Sequence, residues 1–126
     1  LGFKTNIFGI IMTYGVDEFV TIMKFLGVYH KTAYSIAGIG DLITTCISEN
    51  SRNRKFGKLL AQGLSREDAL KEVGMVVEGV SMAKTINKLA KFNLSIPLIS
   101  CITRIIFEDV EDVRKDFLDT LNSISG

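Results

Sequence analysis

The run Asn6-Ile7-Phe8-Gly9-Ile10-Ile11-Met12-Thr13-Tyr14-Gly15-Val16-Asp17-Glu18-Phe19-Val20-Thr21-Ile22-Met23-Lys24-Phe25-Leu26-Gly27 decides the fold class. Its apolar residues Phe8, Met12, Val16, Phe19, Met23 and Leu26 recur at steps of four, four, three, four and three, the repeat of one helix face. Asn6 can cap this helix and Gly27 can end it. Ile7, Ile10 and Ile11 lie off the stripe, so the first half is apolar almost all round and is expected to be covered on several sides. Gly9 and Gly15 would let a neighbour approach closely. Downstream, Ser65 followed by Asp68 resembles a capping box for a short helix ending near Gly74, and Val80, Ala83, Ile86, Leu89 and Ala90 mark another. Pro97 permits a new start, residues 98–107 read as a buried helix, and Val110, Val113, Phe117 and Leu121 form a narrow stripe on a last one. Nothing alternates with strand period. The expected fold is therefore all-α, about seven helices in one domain spanning residues 1–126.

The composition narrows the function. A chain of 126 residues that is 47% hydrophobic can bury one core. Fifteen Lys and Arg against fourteen Asp and Glu leave no net field to draw in nucleic acid or an anionic membrane, so any anion site must be local. The most apolar stretches, 7–16 and 94–107, are interrupted by Asp17 and Glu18 or by Arg104, well short of the roughly 18 residues a membrane span needs. Cys46 and Cys101 are too few for a disulfide framework and, with His30 the only histidine, no metal-ligand spacing exists. They are expected to be buried small hydrophobes in a reducing, cytoplasmic setting. His30 is expected at the surface or as a cap. The acidic run Glu108-Asp109-Val110-Glu111-Asp112 is expected to be a solvated helix start. Leu1, running directly into a periodic pattern, reads as an internal start, and the chain as a piece of a longer one.

Three polar elements carry the chemistry. In Gly38-Ile39-Gly40-Asp41-Leu42-Ile43-Thr44-Thr45-Cys46 the glycines let the backbone turn tightly or approach a ligand, and Asp41 offers a carboxylate at that point, unless it is simply a helix cap. Asn50-Ser51-Arg52-Asn53-Arg54 precedes the helical pattern of Phe56, Leu59 and Leu60. A helix N-terminus suits a phosphate, and an arginine there adds a permanently charged planar fork, while Arg54 is expected to face solvent. Gly74-Met75-Val76-Val77-Glu78-Gly79 is a β-branched pair framed by glycines, with Glu78 suited to the helix start that follows.

Taken together, Gly-x-Gly-Asp-Leu-x-x-Thr-Cys, Ser-Arg-Asn-Arg and Val-Val-Glu-Gly, in this order and spacing, resemble the carboxy-terminal domain of NAD(P)-dependent glycerol-3-phosphate dehydrogenase. Ser51 and the Val-Val-Glu-Gly wording resemble the bacterial branch. The likeness implies an all-α domain of the kind that forms the C-terminal half of 6-phosphogluconate dehydrogenase-like enzymes. It also implies a Rossmann domain upstream of this chain, where no Gly-x-Gly-x-x-Gly is found. The implied reaction interconverts sn-glycerol 3-phosphate and dihydroxyacetone phosphate with NAD or NADP, a step of glycerophospholipid metabolism. By the same likeness Asp41 supports catalysis and binds substrate beside the catalytic lysine, Thr45 lines that pocket, and Ser51, Arg52 and Asn53 hold the substrate phosphate. Arg52, Val76 and Glu78 meet the cofactor. The family's Lys-Asn pair is expected upstream of Leu1. Lys4 is not its equivalent, and Tyr14 stands where an arginine is common. The implied partners are the substrate, the Rossmann domain and, as the class allows, a second copy. The competing reading is a non-catalytic helical module that binds a phosphorylated metabolite or a partner helix.

Overall fold

A computed structural model describes residues 5–125, and within them the chain is all helical. The α-helices are α1 (Thr5–Phe25), α2 (Asp41–Ile47), α3 (Arg52–Ala61), α4 (Arg66–Val73), α5 (Glu78–Asn87), α6 (Pro97–Phe107) and α7 (Val113–Ser125). The expected class and helix number are those found. Between α1 and α2 run a short 3-10 turn, His30–Tyr34, and a single turn of π pitch, Ile36–Gly40. Lys4 lies outside the described residues.

Helix α6 joins two packed groups. On one side Phe56 and Leu60 of α3, Ala69 and Val73 of α4 and Val77 enclose a core to which Ile105 and Ile106 contribute. On the other, Leu98 and Cys101 of α6 meet Phe117 and Leu121 of α7, with Ile7, Ile11 and Tyr14 of α1 packed against them. Ile105 belongs to both groups, so α6 transmits position from α1 to the α3–α5 end of the molecule.

The face that α1 buries differs from the one its apolar stripe indicates. Of the stripe, Phe8, Phe19 and Leu26 are exposed and Val16 is buried, whereas off the stripe Glu18, Val20 and Ile22 are buried. The packed line Ile7, Ile11, Tyr14, Glu18, Ile22 has helical spacing too, but the carboxylate within it hides it from a hydrophobicity count. Glu18 is 5% exposed and accepts hydrogen bonds from the Leu98 and Ile99 N–H groups, both at 2.7 Å. It thereby caps the N-terminus of α6, where Ile96 offers no side-chain cap and Pro97 has no N–H. Asn6 is not the cap of α1, which is already helical at Thr5. Gly15 is where α6 crosses, a Cβ there meeting Leu98 Cδ2 at 4.0 Å, whereas Gly9 has no described neighbour within reach.

Burial outweighs these two hydrogen bonds and raises the Glu18 carboxyl pKa above its ordinary 4.5. The folded state thus holds the proton more tightly than the unfolded chain, so stability falls as pH rises from about 4.5 through the raised value. Glu18→Ala strands two buried or half-buried donors and should cost about 2–6 kcal/mol, at 1–3 kcal/mol for each unsatisfied group. Urea melts between pH 4.5 and 8 should show the stability of the parent relative to Glu18→Gln declining with pH; a growing advantage would contradict this account.

Two further expectations hold and one is corrected. Ser65 caps α4, its Oγ accepting from the Asp68 N–H at 3.1 Å, and Gly27 and Gly74 end α1 and α4 at φ 69° and 71°. After Gly27 the chain closes with Val28 N–H to Met23 and Gly27 N–H to Lys24, the paired bonds of a Schellman ending. The acidic run is no helix start: residues 108–112 form a connector, and only Asp112 serves α7, its Oδ1 accepting from the Lys115 N–H at 2.9 Å. Val110 therefore lies before the helix its stripe had included.

Candidate functional site

Asp41 opens α2 directly after the π turn. This placement depends on Gly38: a Cβ there would overlap the Ala33 carbonyl oxygen and stand 2.7 Å from that of Thr32. The glycine serves a close approach of backbone to backbone, so the two short turns stack and deliver Asp41 at a fixed point. The cap position belongs to Gly40, which has no side chain to offer, and the Asp41 carboxylate is exposed with no hydrogen-bond or ion-pair partner among the described residues. It is not spent on capping. Thr45 is one turn further along the same face, half-buried, while Thr44 turns its hydroxyl back to the Gly40 carbonyl at 2.9 Å.

The second element starts α3. Ser51 is its N-cap, with Oγ accepting from the Arg54 N–H at 3.3 Å and its hydroxyl proton left to donate elsewhere. Arg52 occupies the first helical position and its side chain is 42% exposed. Its only ion pair among the described residues is with Glu78, N to O 3.8 Å, beyond hydrogen-bonding distance and open to water. Arg54 does not simply face solvent: its Nη1 donates to the Ile47 carbonyl at 2.7 Å and so ties the C-terminus of α2 to α3. The guanidinium there also lowers the pKa of Cys46, but burial outweighs it and leaves that thiol above its ordinary value, unsuited to act as a nucleophile.

The third element splits its valine pair. Residues 75–77 lie between α4 and α5, with Met75 and Val76 exposed and Val77 extended at φ −102° and ψ 100°. Val76 is 69% exposed and Val77 3%, the latter inserted among Phe56, Leu60, Ala69 and Val73. Glu78 turns outward again to Arg52. Val77 cannot cap α5, and the cap is supplied from α3: Asn53 Oδ1 accepts from the Gly79 N–H at 3.0 Å. Arg52 and Glu78, Asn53 and Gly79 therefore make two side-by-side ties between the N-termini of α3 and α5. No hydrogen bond or ion pair among the described residues joins Asp41 or Thr45 to that pair; their link to α3 runs through Arg54.

Arg54 and Gly79 stand inside the quoted motifs, but the ties they make, to Ile47 and to Asn53, are not foreseen from them. Gly79 left a trace, since a glycine one residue inside a helix, with no positive φ to explain it, costs helix stability for nothing unless something sits where its Cβ would be. Arg54 left none.

The family described as NAD-dependent glycerol-3-phosphate dehydrogenase C-terminus matches residues 1–115. A glycerol-3-phosphate dehydrogenase (NAD(P)+) of Clostridium tetani is 39% identical over 115 residues, 90% of this chain and 33% of that protein. One from Staphylococcus aureus is 38% identical over 122 residues, 94% of this chain and 37% of that protein. The chain thus spans about a third of the length of the curated relatives it matches. Among solved structures, a glycerol-3-phosphate dehydrogenase of Coxiella burnetii superposes with a TM-score of 0.82 at 28% identity, over 97% of this chain and 36% of that one.

Proposed function

The chain belongs to the family of NAD-dependent glycerol-3-phosphate dehydrogenase C-termini, and from that premise we propose that residues 1–126 are the substrate-binding part of a bacterial-type enzyme that interconverts sn-glycerol 3-phosphate and dihydroxyacetone phosphate with NAD or NADP. The observation that carries the reading is Arg52: a guanidinium at the start of a ten-residue helix, held among the described residues only by a long, solvated contact to Glu78. Such a contact is worth about 0–1 kcal/mol, whereas each charge-assisted hydrogen bond to a phosphate is worth about 1.5–3 kcal/mol before desolvation. An arriving phosphate therefore recruits Arg52 from Glu78. The N-terminal dipole adds about 0.3–1 kcal/mol in the same direction, and the Ser51 hydroxyl and the Asn53 Nδ2 group are further donors.

Asp41 and Thr45, on one face of α2, receive the other end of the substrate. The Asp41 carboxylate accepts from a substrate hydroxyl and favours the charged form of the family's catalytic lysine, for which residues 1–126 contain no Lys-Asn match. The residues present also fit a dinucleotide: Val76 and the exposed Met75 offer an apolar cover for a nicotinamide ring, and Arg52 and Glu78 offer polar contacts beside it. When bound, the nicotinamide supplies or accepts the hydride at the substrate's C2, with the proton moving on its oxygen. The reading carries with it a cytoplasmic setting and pairing of two copies, for which the exposed Phe8, Phe19 and Leu26 of α1 supply a face.

Residues 1–126 expressed alone should oxidise neither NADH nor NADPH in the presence of dihydroxyacetone phosphate. Adding a separately produced dinucleotide-binding domain of the same enzyme should restore turnover. Activity of these residues alone would overturn the roles given above, and an intact protein without activity on this substrate would favour a non-catalytic phosphometabolite-binding module.

A further inference from the structure

We infer that Gly79 is a positioning residue of the phosphate seat, acting through Asn53; the inference rests on the substrate reading above. The Gly79 N–H is a donor, so the atom that faces it at 3.0 Å must be the oxygen of the Asn53 carboxamide. That bond fixes which way round the amide stands. Oδ1 is consumed by the α5 cap and Nδ2, with two protons, is left to face an anion beside Arg52. Without it the amide could present either atom, and an oxygen turned toward a phosphate repels it.

The approach requires the residue to be glycine. A Cβ at position 79 would stand 2.7 Å from Asn53 Oδ1, 3.1 Å from Cγ and 3.5 Å from Nδ2. No backbone is in the way. The atoms met are the tip of one exposed side chain, which can rotate aside, so the fold accepts alanine while the amide loses its seat. Behind it lies an apolar cavity of about 240 Å³, walled by Phe56, Val77, Val80 and Ile105 among others, which offers a displaced carboxamide no partner. The side chain must therefore swing toward water. Alanine is also the better helix former by about 1 kcal/mol, which offsets the similar cost of losing the Asn53 cap, so Gly79→Ala changes stability little while it weakens substrate binding.

The test uses the intact dehydrogenase. Gly79→Ala should leave the melting temperature near that of the parent while the KM for dihydroxyacetone phosphate rises roughly tenfold, the loss of one hydrogen bond to a charged group, with kcat little altered. In an Asn53→Ala background the same substitution should add no further increase, because no carboxamide remains to displace. A KM that stays at the parent value, or a Gly79→Ala effect of full size without the Asn53 amide, overturns the inference. If Arg52→Lys raises KM while Gly79→Ala does not, the phosphate seat stands and only the role of Gly79 fails; if neither does, the seat itself is wrong.

Discussion

Asp41→Asn in the intact protein should lower kcat for the proposed reaction by about a hundredfold, the scale found when a preorganised electrostatic group is removed beside a reacting centre, and leave folding within about 0.5 kcal/mol of the parent. The separation of the two effects follows from the structure. Asn copies the shape of Asp, and the carboxylate has no partner among the described residues whose loss would be felt in the folded state. What disappears is the charge. Steady-state kinetics with dihydroxyacetone phosphate, paired with thermal melts, measure both quantities. A kcat near that of the parent would return Asp41 to the role of a surface residue at a helix start.

Arg52→Lys should raise the KM for the phosphorylated substrate by about tenfold or more. Charge is preserved, but the planar fork that meets two phosphate oxygens at once is not, and a single charge-assisted hydrogen bond is already worth about 1.5–3 kcal/mol. The informative comparison is Arg54→Lys. Lysine can still donate to the Ile47 carbonyl, so α2 stays tied to α3 and the change in KM should be much smaller. Equal effects at the two positions would mean that the seat depends on overall positive charge and not on the geometry of one guanidinium.

Much of this site was legible beforehand because its elements are local. Ser51, Ser65 and Gly74 act within one helical turn of their own positions. The split of the valine pair into an exposed Val76 and a buried Val77 comes instead from packing against α3 and α4 and has no period in the sequence. What was hidden acts at long range in sequence. Glu18 is 80 residues from Leu98, and a charged residue in an apolar helix reads as a mark of the solvent face until its two backbone donors are known. The apolar stripe of α1 therefore does not mark the line that packs against α6 and α7. Asn53 and Gly79 are 26 residues apart, and Arg54 reaches seven residues back to Ile47. None of these pairings has a period or a motif to announce it. The acidic run misled differently: its charges suit a helix start electrostatically, but only Asp112 is at the position where a carboxylate can reach a free N–H.

The burial of Val77 beside an exposed Val76 also bears on how this stretch can change over evolutionary time. Individual letters there are free to drift within their kind, since an outward position asks only for surface and an inward one only for apolar bulk. The count of letters is not free. Gain or loss of a single codon between Gly74 and Glu78 would move Val77 from its place among Phe56, Leu60, Ala69 and Val73 and shift the Arg52 and Asn53 ties to α5 out of step together. Lineages can therefore be expected to differ in spelling across this stretch but to keep its length, whereas the connector at residues 108–112, whose carboxylates other than Asp112 cap nothing among the described residues, can absorb insertions without disturbing the seat.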